Sequence, residues 1–189
     1  MKKIPFSSFC FTPFIFMKIF LIGFMASGKS TVGKQLAEKL SLPFIDLDEW
    51  IEKCEGRSVS LIFAESGEQV FRQIESAYLK KLGDTKTAII ATGGGTPCFF
   101  DNMDWMKENG LTLYLRTDPF ILFERLKASD RERPLLSGRK DQVLLDFIKN
   151  TVEKRAAFYE SAHLIFEQNE MTANPAAEIF NYISRFLLF

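Results

Sequence analysis

Histidine and cysteine, the residues that most zinc sites need, are scarce in this chain of 189 residues. His163 is the one histidine, and the three cysteines, Cys10, Cys54 and Cys98, lie far apart. This argues against a zinc site, and an odd, scattered set of cysteines is typical of a reducing compartment, so we expect a cytoplasmic protein. Neither sign of charge is in excess, since 24 basic residues balance 24 acidic ones. A nucleic-acid partner is therefore not expected.

The chain also lacks an apolar segment long enough to cross a bilayer, so we expect no membrane association. Residues 1–16 resemble a short signal peptide, but Pro5 and Pro13 interrupt the apolar stretch. Two explanations stay open: Met17 is the true start, or the first sixteen residues are a genuine but dispensable extension. The whole chain is 47% hydrophobic and 25% charged, which is typical of a globular protein. Residues 17–189 have the length of one domain.

The most informative motif that is present follows the apolar run 19–22. Residues 23–31 read G-F-M-A-S-G-K-S-T, a complete G-x-x-x-x-G-K-[ST] phosphate loop. In this pattern, backbone N–H groups point at phosphate oxygens, Lys29 reaches the β- and γ-phosphates, and the hydroxyl of Ser30 can bind Mg²⁺. A chance match in a glycine- and serine-containing loop is the alternative. Because strand, loop and helix occur in the order that the mechanism requires, the sequence predicts a nucleoside-triphosphate site.

Strand and helix patterns alternate along the rest of the chain. The expected strands are 18–22, 43–45, 87–91, 111–115 and 163–166, and the expected helices are 29–40, 49–54, 58–82, one from residue 118, 141–161 and 174–187, with breaks at Gly56 and Gly67. This order predicts an α/β fold in three layers, with a parallel sheet between helices. Ligands of such sheets bind outside the carboxyl ends of the strands. The charged segment 128–140 breaks the periodicity and is expected to be a mobile loop.

Two carboxylates, Asp46 and Asp48, follow the second predicted strand. Alternate residues of an extended segment point the same way, so both could face the crevice beside the phosphate loop. Asp46 would then hold Mg²⁺ next to Ser30, and Asp48 would accept the proton of an attacking hydroxyl group. The alternative is that this D-x-D step only caps the next helix.

Arginines could supply the anion-binding groups. Arg72 and Glu75 are three residues apart on one helical face, and an arginine held by a glutamate presents a fork to a carboxylate. Arg155 could be a second clamp, with Tyr159 beside it. Arg133 could close over the γ-phosphate and exclude water. Solvated charges and surface ion pairs are the alternative in each case.

The glycine run 93–95 follows the predicted strand 87–91. Three glycines in succession remove the side chains, so a small ligand could approach the backbone closely. A simple tight turn is the alternative.

Together these residues resemble the shikimate kinase family. The motifs occur in family order between Met17 and the C-terminus: G-F-M-A-S-G-K-S-T-V-G, F-I-D-L-D, S-V-S-L-I-F-A-E-S-G-E-Q-V-F-R-Q-I-E, A-T-G-G-G, R-P-L-L and R-A-A-F-Y. The resemblance implies a nucleoside-monophosphate-kinase-like fold with a five-stranded parallel sheet in the order 2-3-1-4-5. It also implies ATP-dependent phosphorylation of the shikimate 3-hydroxyl, in chorismate and aromatic amino acid biosynthesis, by a monomer.

The resemblance also implies a role for each site residue. The catalytic residues would be Lys29, Asp48 and Arg133. The phosphates of ATP would contact Ala26, Ser27, Gly28, Lys29, Ser30, Thr31 and Arg133. Shikimate would contact Asp48, Arg72, Glu75, Gly94, Gly95 and Arg155, and Mg²⁺ would contact Ser30 and Asp46. Many members have an arginine before the Asn174-Pro175 step, where this chain has Ala173, so that contact with adenine is not expected.

Two other functions are compatible with a phosphate loop. A gluconate or nucleotide kinase shares the fold, although a nucleotide kinase needs a base pocket that the two arginines do not suggest. A silent nucleotide-binding partner or a switch is the alternative from another class. The chain has no N-K-x-D guanine motif, and Lys29, Asp48, Arg72 and Arg133 are all present, which favours an active kinase.

Overall fold

Two central strands of the fold are buried along their whole length, β1 (Lys18–Ile22) and β3 (Ala88–Ala91), and both are apolar except for Lys18. They form one parallel sheet with β2 (Phe44–Asp46), β4 (Leu111–Thr117) and β5 (Leu164–Gln168), in the order β2-β3-β1-β4-β5. Runs without alternation are typical of parallel strands covered on both faces. The five-stranded sheet and its order are therefore confirmed.

These features belong to a computed structural model that describes residues 17–128, 141–168 and 174–187. The predicted extension 1–16, nearly all of the charged segment 128–140 with Arg133, and Ala173 lie outside the described residues. Across the described ranges, no helix has both the length and the apolar character needed to span a membrane.

Seven α-helices lie within the described residues, and they cover both faces of the sheet. They are α1 (Lys29–Leu40), α2 (Leu47–Glu55), α3 (Val59–Lys81), α4 (Asn102–Asn109), α5 (Pro119–Lys127), α6 (Asp141–Glu160) and α7 (Pro175–Leu187).

Strand β1 divides the core into two layers because its successive side chains point to opposite faces. Ile19 and Leu21 pack with α1 and α7, whereas Phe20 and Ile22 pack with α2, α3 and α4. All four side chains are fully buried. A third cluster packs Phe24, in the loop after β1, against α5 and α6. The predicted three-layer arrangement is confirmed, and the loop after β1 is anchored in it.

Helix α4 is absent from the sequence-based prediction, which has no element between residues 95 and 111. Its buried Met103 and Met106 are three residues apart, and Gly110 follows its last residue. Eight residues with one short apolar pair carry a weak periodic signal, which explains why the helix is hard to predict.

Helix α3 is kinked where the sequence predicts a break. Gly67 has φ 79° and ψ 170°, which is not helical, so the chain forms two helical halves that meet at this residue. A Cβ on Gly67 would meet nothing within 4 Å, and the positive φ alone explains the glycine. The second half begins at Glu68 and carries the predicted anion-binding arginine.

Candidate active site

The phosphate loop occupies the turn between β1 and α1, at the carboxyl end of the central strand. Three residues have positive φ, Gly23 at 144°, Ala26 at 62° and Gly28 at 89°. A Cβ on Gly23 would lie 2.9 Å from the carbonyl oxygen of Leu115, so both space and conformation require glycine there. Lys29 is buried, and its ammonium group donates to two loop carbonyl oxygens at 2.8 Å each. The ammonium group thus lies inside the loop that, in this motif, surrounds phosphates.

Two side chains that the sequence analysis does not single out brace this loop. Gln168, the last residue of β5, is buried and donates from Nε2 to the carbonyl oxygen of Ser27 at 2.8 Å. Arg125 of α5 donates from Nη1 to the carbonyl oxygen of Ala26 at 3.3 Å and to Oε1 of Gln168 at 3.4 Å. A polar residue at the carboxyl end of a parallel strand could have indicated Gln168 as a site residue. The sequence analysis misses it because it predicts that this strand ends at residue 166.

Ser30 and Asp46, the predicted metal ligands, are hydrogen-bonded neighbours. The hydroxyl of Ser30 donates to Oδ2 of Asp46 at 2.5 Å. The other oxygen of Asp46 accepts the backbone N–H groups of Asp48 at 3.1 Å and Glu49 at 3.4 Å. Asp46 is therefore the N-cap of α2, as the alternative interpretation has it, and also lies beside the phosphate loop.

The donor set of this pair suits magnesium. A hydroxyl and a carboxylate are oxygen ligands, and Mg²⁺ is usually held by one or two carboxylates together with substrate phosphates. Within the described part of the chain, no group of three or more His, Cys, Asp or Glu side chains could hold a metal ion. The pair fits a metal that the protein shares with a bound nucleotide.

Asp48 reaches the crevice by a different route from the one predicted. The expectation of an extended segment is wrong for this residue, because α2 begins at Leu47 and Asp48 lies in its first turn. Its Oδ1 lies 3.1 Å from the position that a Cβ on Gly93 would take. The carboxylate therefore lies against the glycine turn after β3, at a helix end that favours negative charge.

Arg72 is buried at 4% exposure, although it carries a charge. Its Nη1 donates to Oε2 of Glu75 at 2.9 Å, and its Nη2 and Nε donate to Oε1 of Glu68 at 3.0 and 3.3 Å. The ring of Phe99 lies 4.5 Å from the guanidinium carbon. A surface ion pair does not describe this arrangement. A charge held so deeply carries a large desolvation penalty, which is typical of a functional site.

Glu75 is the fully buried partner that fixes Arg72. Its other oxygen accepts the hydroxyl of Thr96 at 2.6 Å. Burial raises the pKa of Glu75, whereas the charge of Arg72 and the hydroxyl of Thr96 act in the opposite direction. Burial also lowers the pKa of Arg72, but Glu75 and Glu68 more than offset this and raise it. The guanidinium group therefore stays charged and held in place.

The glycine turn, residues 93–95, is required by its neighbours and is more than a tight turn. A Cβ on Gly93 would lie 2.4 Å from Oε1 of Glu75, and a Cβ on Gly95 would lie 2.6 Å from Nη2 of Arg72. A Cβ on Gly94 would lie 3.0 Å from the backbone nitrogen of Met25, in the phosphate loop. The turn thus brings the ion pair and the phosphate loop to within contact of the same three residues.

Helix α6 contributes the second predicted arginine to the same turn. Nη1 of Arg155 donates to the carbonyl oxygen of Gly94 at 3.0 Å, and the hydroxyl of Tyr159 donates to that oxygen at 2.5 Å. Tyr159 is fully buried and its ring stacks on Tyr114 of β4, with 5.0 Å between the ring centres. Arg72 and Arg155 thus contact adjacent residues of one turn.

Comparison with known proteins identifies the family of this chain. The shikimate kinase family model matches residues 25–187. The shikimate kinase of Bacteroides fragilis is 48% identical over 150 residues, which cover 79% of this chain and 84% of that protein. The chain belongs to the shikimate kinase family.

Solved shikimate kinases share the fold over nearly the whole chain. The crystal structure of the Bacteroides thetaiotaomicron shikimate kinase matches with a TM-score of 0.83 at 40% identity, over 92% of this chain and 99% of that one. The Acinetobacter baumannii shikimate kinase, in complex with shikimate, matches with a TM-score of 0.81 at 34% identity, over 90% and 94% of the two chains. The family and the fold that the motifs imply are both confirmed.

For this shikimate kinase family member, we expect Gly95→Ala to weaken binding of the acceptor substrate. The new methyl group would meet the guanidinium group of Arg72, which two carboxylates hold in place. We expect KM for shikimate to rise about tenfold, with a smaller change in KM for ATP. Steady-state kinetics with each substrate varied in turn checks this.

Gly83→Ala is the matched control for that variant. Its nearest neighbour would be a ring carbon of Trp105 at 3.8 Å, which is ordinary van der Waals contact. We expect Gly83→Ala to leave KM for shikimate unchanged. If Gly95→Ala also left this KM unchanged, the close contact between Gly95 and Arg72 would have no functional consequence.

Proposed function

We propose that this protein transfers the γ-phosphoryl group of ATP to the 3-hydroxyl of shikimate. The observation that carries the proposal is the glycine turn 93–95, which contacts a phosphate loop on one side and two arginines on the other. A kinase for a small carboxylic acid needs these groups within one substrate length of each other. The Acinetobacter baumannii relative, 34% identical, is a complex with shikimate, which supports shikimate as the acid.

In this proposal the shikimate carboxylate binds Arg72 and Arg155. Two fixed guanidinium groups orient the ring, so that one hydroxyl group faces the γ-phosphate. Asp48, across the glycine turn, orients that hydroxyl group and accepts its proton as the phosphorus–oxygen bond forms. Gly94 and Gly95 let the ring approach the backbone, and Glu75 holds Arg72.

The phosphate loop binds the other substrate. We propose that residues 26–31 surround the phosphates of ATP and that Lys29 stabilises the charge on the transferred group. Mg²⁺, bound by Ser30 and Asp46, would neutralise charge on the β- and γ-phosphates. Arg133 is proposed to act on the same charge. It lies outside the described residues, and its role stays a prediction.

The nearest competing substrate is gluconate, which also carries a carboxylate. Nucleoside monophosphates are a weaker alternative, because Arg72 and Arg155 at the turn suit the carboxylate of a small acid better than they suit a nucleobase. The family assignment favours shikimate over both.

A coupled assay of ADP release with Mg·ATP tests the proposal, run in parallel with shikimate, gluconate and nucleoside monophosphates. We expect turnover with shikimate alone. Turnover with another acceptor would keep the kinase and remove shikimate as its substrate. Tight ATP binding without turnover on any acceptor would indicate a silent nucleotide-binding protein.

We propose a cytoplasmic monomer whose catalytic domain spans residues 17–189 and needs no macromolecular partner. Cys54 and Cys98 are free thiols, which supports a reducing compartment. Burial raises the pKa of Cys98 to about 11, so this thiol, near both arginines, is protonated and unreactive at neutral pH.

A further inference from the structure

The hydrogen bonds of Arg72 leave a defined part of its guanidinium group available. The group has five N–H donors, of which three are used by Glu68 and Glu75. One N–H remains on each terminal nitrogen, with no acceptor among the described residues. Two N–H groups on neighbouring nitrogens are what a carboxylate needs to bind with both oxygens.

The two glutamates differ in how firmly they are held. Glu75 is fully buried and also accepts from Thr96. The side chain of Glu68 is 45% exposed and, among the described residues, accepts hydrogen bonds only from the Nε and Nη2 edge of Arg72. Glu68 follows the kink at Gly67, so it starts the second half of α3, one turn before Arg72.

Both glutamates are needed to fix the orientation of the guanidinium group in its own plane. The ring of Phe99, whose centre lies 4.5 Å from the guanidinium carbon, covers one side of the group, but this contact does not fix the directions of its N–H groups. A single bond to Glu75 leaves a pivot at Nη1. The two bonds to Glu68, at the opposite edge, remove this freedom.

We propose that Glu68 is a positioning residue for the acceptor site. It holds the Nε and Nη2 edge of Arg72, so that the remaining N–H on each terminal nitrogen stays directed at the substrate carboxylate. The inference rests on the proposed binding of the shikimate carboxylate by Arg72. Glu68 itself does not contact the substrate.

The charge of Glu68 and its hydrogen bonds act on substrate binding in opposite directions. Its negative charge repels a second carboxylate on the same arginine, whereas its hydrogen bonds preorganise that arginine. The amide oxygen of glutamine can still accept both N–H groups but carries no charge. Glu68→Gln and Glu68→Ala therefore separate the two effects.

We expect Glu68→Ala to raise KM for shikimate about tenfold, with kcat within about threefold of the unmodified enzyme. Glu68→Gln should stay within about twofold of the unmodified KM, or fall below it. KM for ATP and the thermal midpoint should hardly change, because Glu68 is half exposed. The Kd for shikimate, measured by calorimetry without nucleotide, should follow KM.

Glu65→Ala is the matched control. Glu65 is also an exposed glutamate of α3 paired with an arginine, Arg57, at 3.0 Å. Among the described residues, it makes no hydrogen bond or ion pair with Arg72. Its KM should equal that of the unmodified enzyme. Arg72→Ala gives the largest effect expected from losing this carboxylate contact, so its KM and Kd for shikimate should exceed those of Glu68→Ala.

Several results would overturn the proposal. An unchanged KM in Glu68→Ala would do so, as would equal increases in the alanine and glutamine variants. If the unmodified chain neither bound nor phosphorylated shikimate, the proposed function would fall with it. If shikimate were phosphorylated but Arg72→Ala left KM unchanged, the carboxylate site would be wrong and Glu68 would lose its role.

Discussion

Replacing Lys29 with methionine is expected to lower kcat by about 10²–10³-fold, the loss typical of one group that stabilises transition-state charge. Lys29 lies inside the phosphate loop, where its ammonium group already donates to two carbonyl oxygens. Methionine fills similar space but offers neither charge nor donor. Shikimate binding, measured by calorimetry, should be nearly unchanged, because the arginines lie on the other side of the glycine turn.

The buried position of Lys29 makes a stability control necessary for this variant. Methionine leaves the two loop carbonyl oxygens without their donor, which costs roughly 1–3 kcal/mol for each buried group left unpaired. The thermal midpoint should therefore be measured beside kcat. Lys34→Met, an exposed lysine on the same helix, should leave both unchanged. A kcat within tenfold of the unmodified enzyme, in a folded Lys29→Met variant, would contradict the proposed role.

Asp48→Asn is expected to lower kcat by about 10²–10⁴-fold, the range that a general base contributes. Asparagine keeps the shape of the side chain against Gly93 and can still orient a hydroxyl group. It cannot accept the proton of that hydroxyl group, so the loss should fall on kcat and less on KM for shikimate. Steady-state kinetics with saturating Mg·ATP separates the two parameters.

Glu49→Gln is the control for Asp48→Asn. Glu49 is the next residue in the same first helical turn, it is exposed, and its backbone N–H is capped by Asp46 as that of Asp48 is. Its kcat should match that of the unmodified enzyme. If Asp48→Asn kept more than a tenth of the activity, proton acceptance would belong to another group or to water.

The carboxylates after β2 show how a sequence pattern can lead to the right place by the wrong geometry. The D-x-D step predicts two side chains pointing the same way from an extended segment. Asp46 instead accepts the N–H groups that start α2, so the helix begins earlier and Asp48 lies within it. The capping alternative and the crevice location both hold for Asp46, since one carboxylate has two oxygens and each serves a different neighbour.

The sequence analysis misses Glu68 and Gln168 for the same physical reason. Glu68 and Gln168 form hydrogen bonds with residues already predicted, Arg72 and Ser27. Their own local patterns are ordinary, an exposed glutamate on a helix and a glutamine after a strand. Such residues become visible only when the partner has been placed, because a hydrogen bond across the fold leaves no periodic signal.

The sequence by itself determines the phosphate loop, the alternation of strand and helix, and the family, because these depend on contiguous motifs and short-range patterns. Only the tertiary structure decides that Arg72 is buried, that Asp48 and Glu75 both lie against Gly93, and that Arg155 reaches Gly94 from α6. Those facts depend on contacts between segments up to 61 residues apart, and burial depends on every element packed around a residue. An arginine three residues before a glutamate can form either a surface ion pair or a buried anion site, and the packing of the surrounding elements decides which of the two forms.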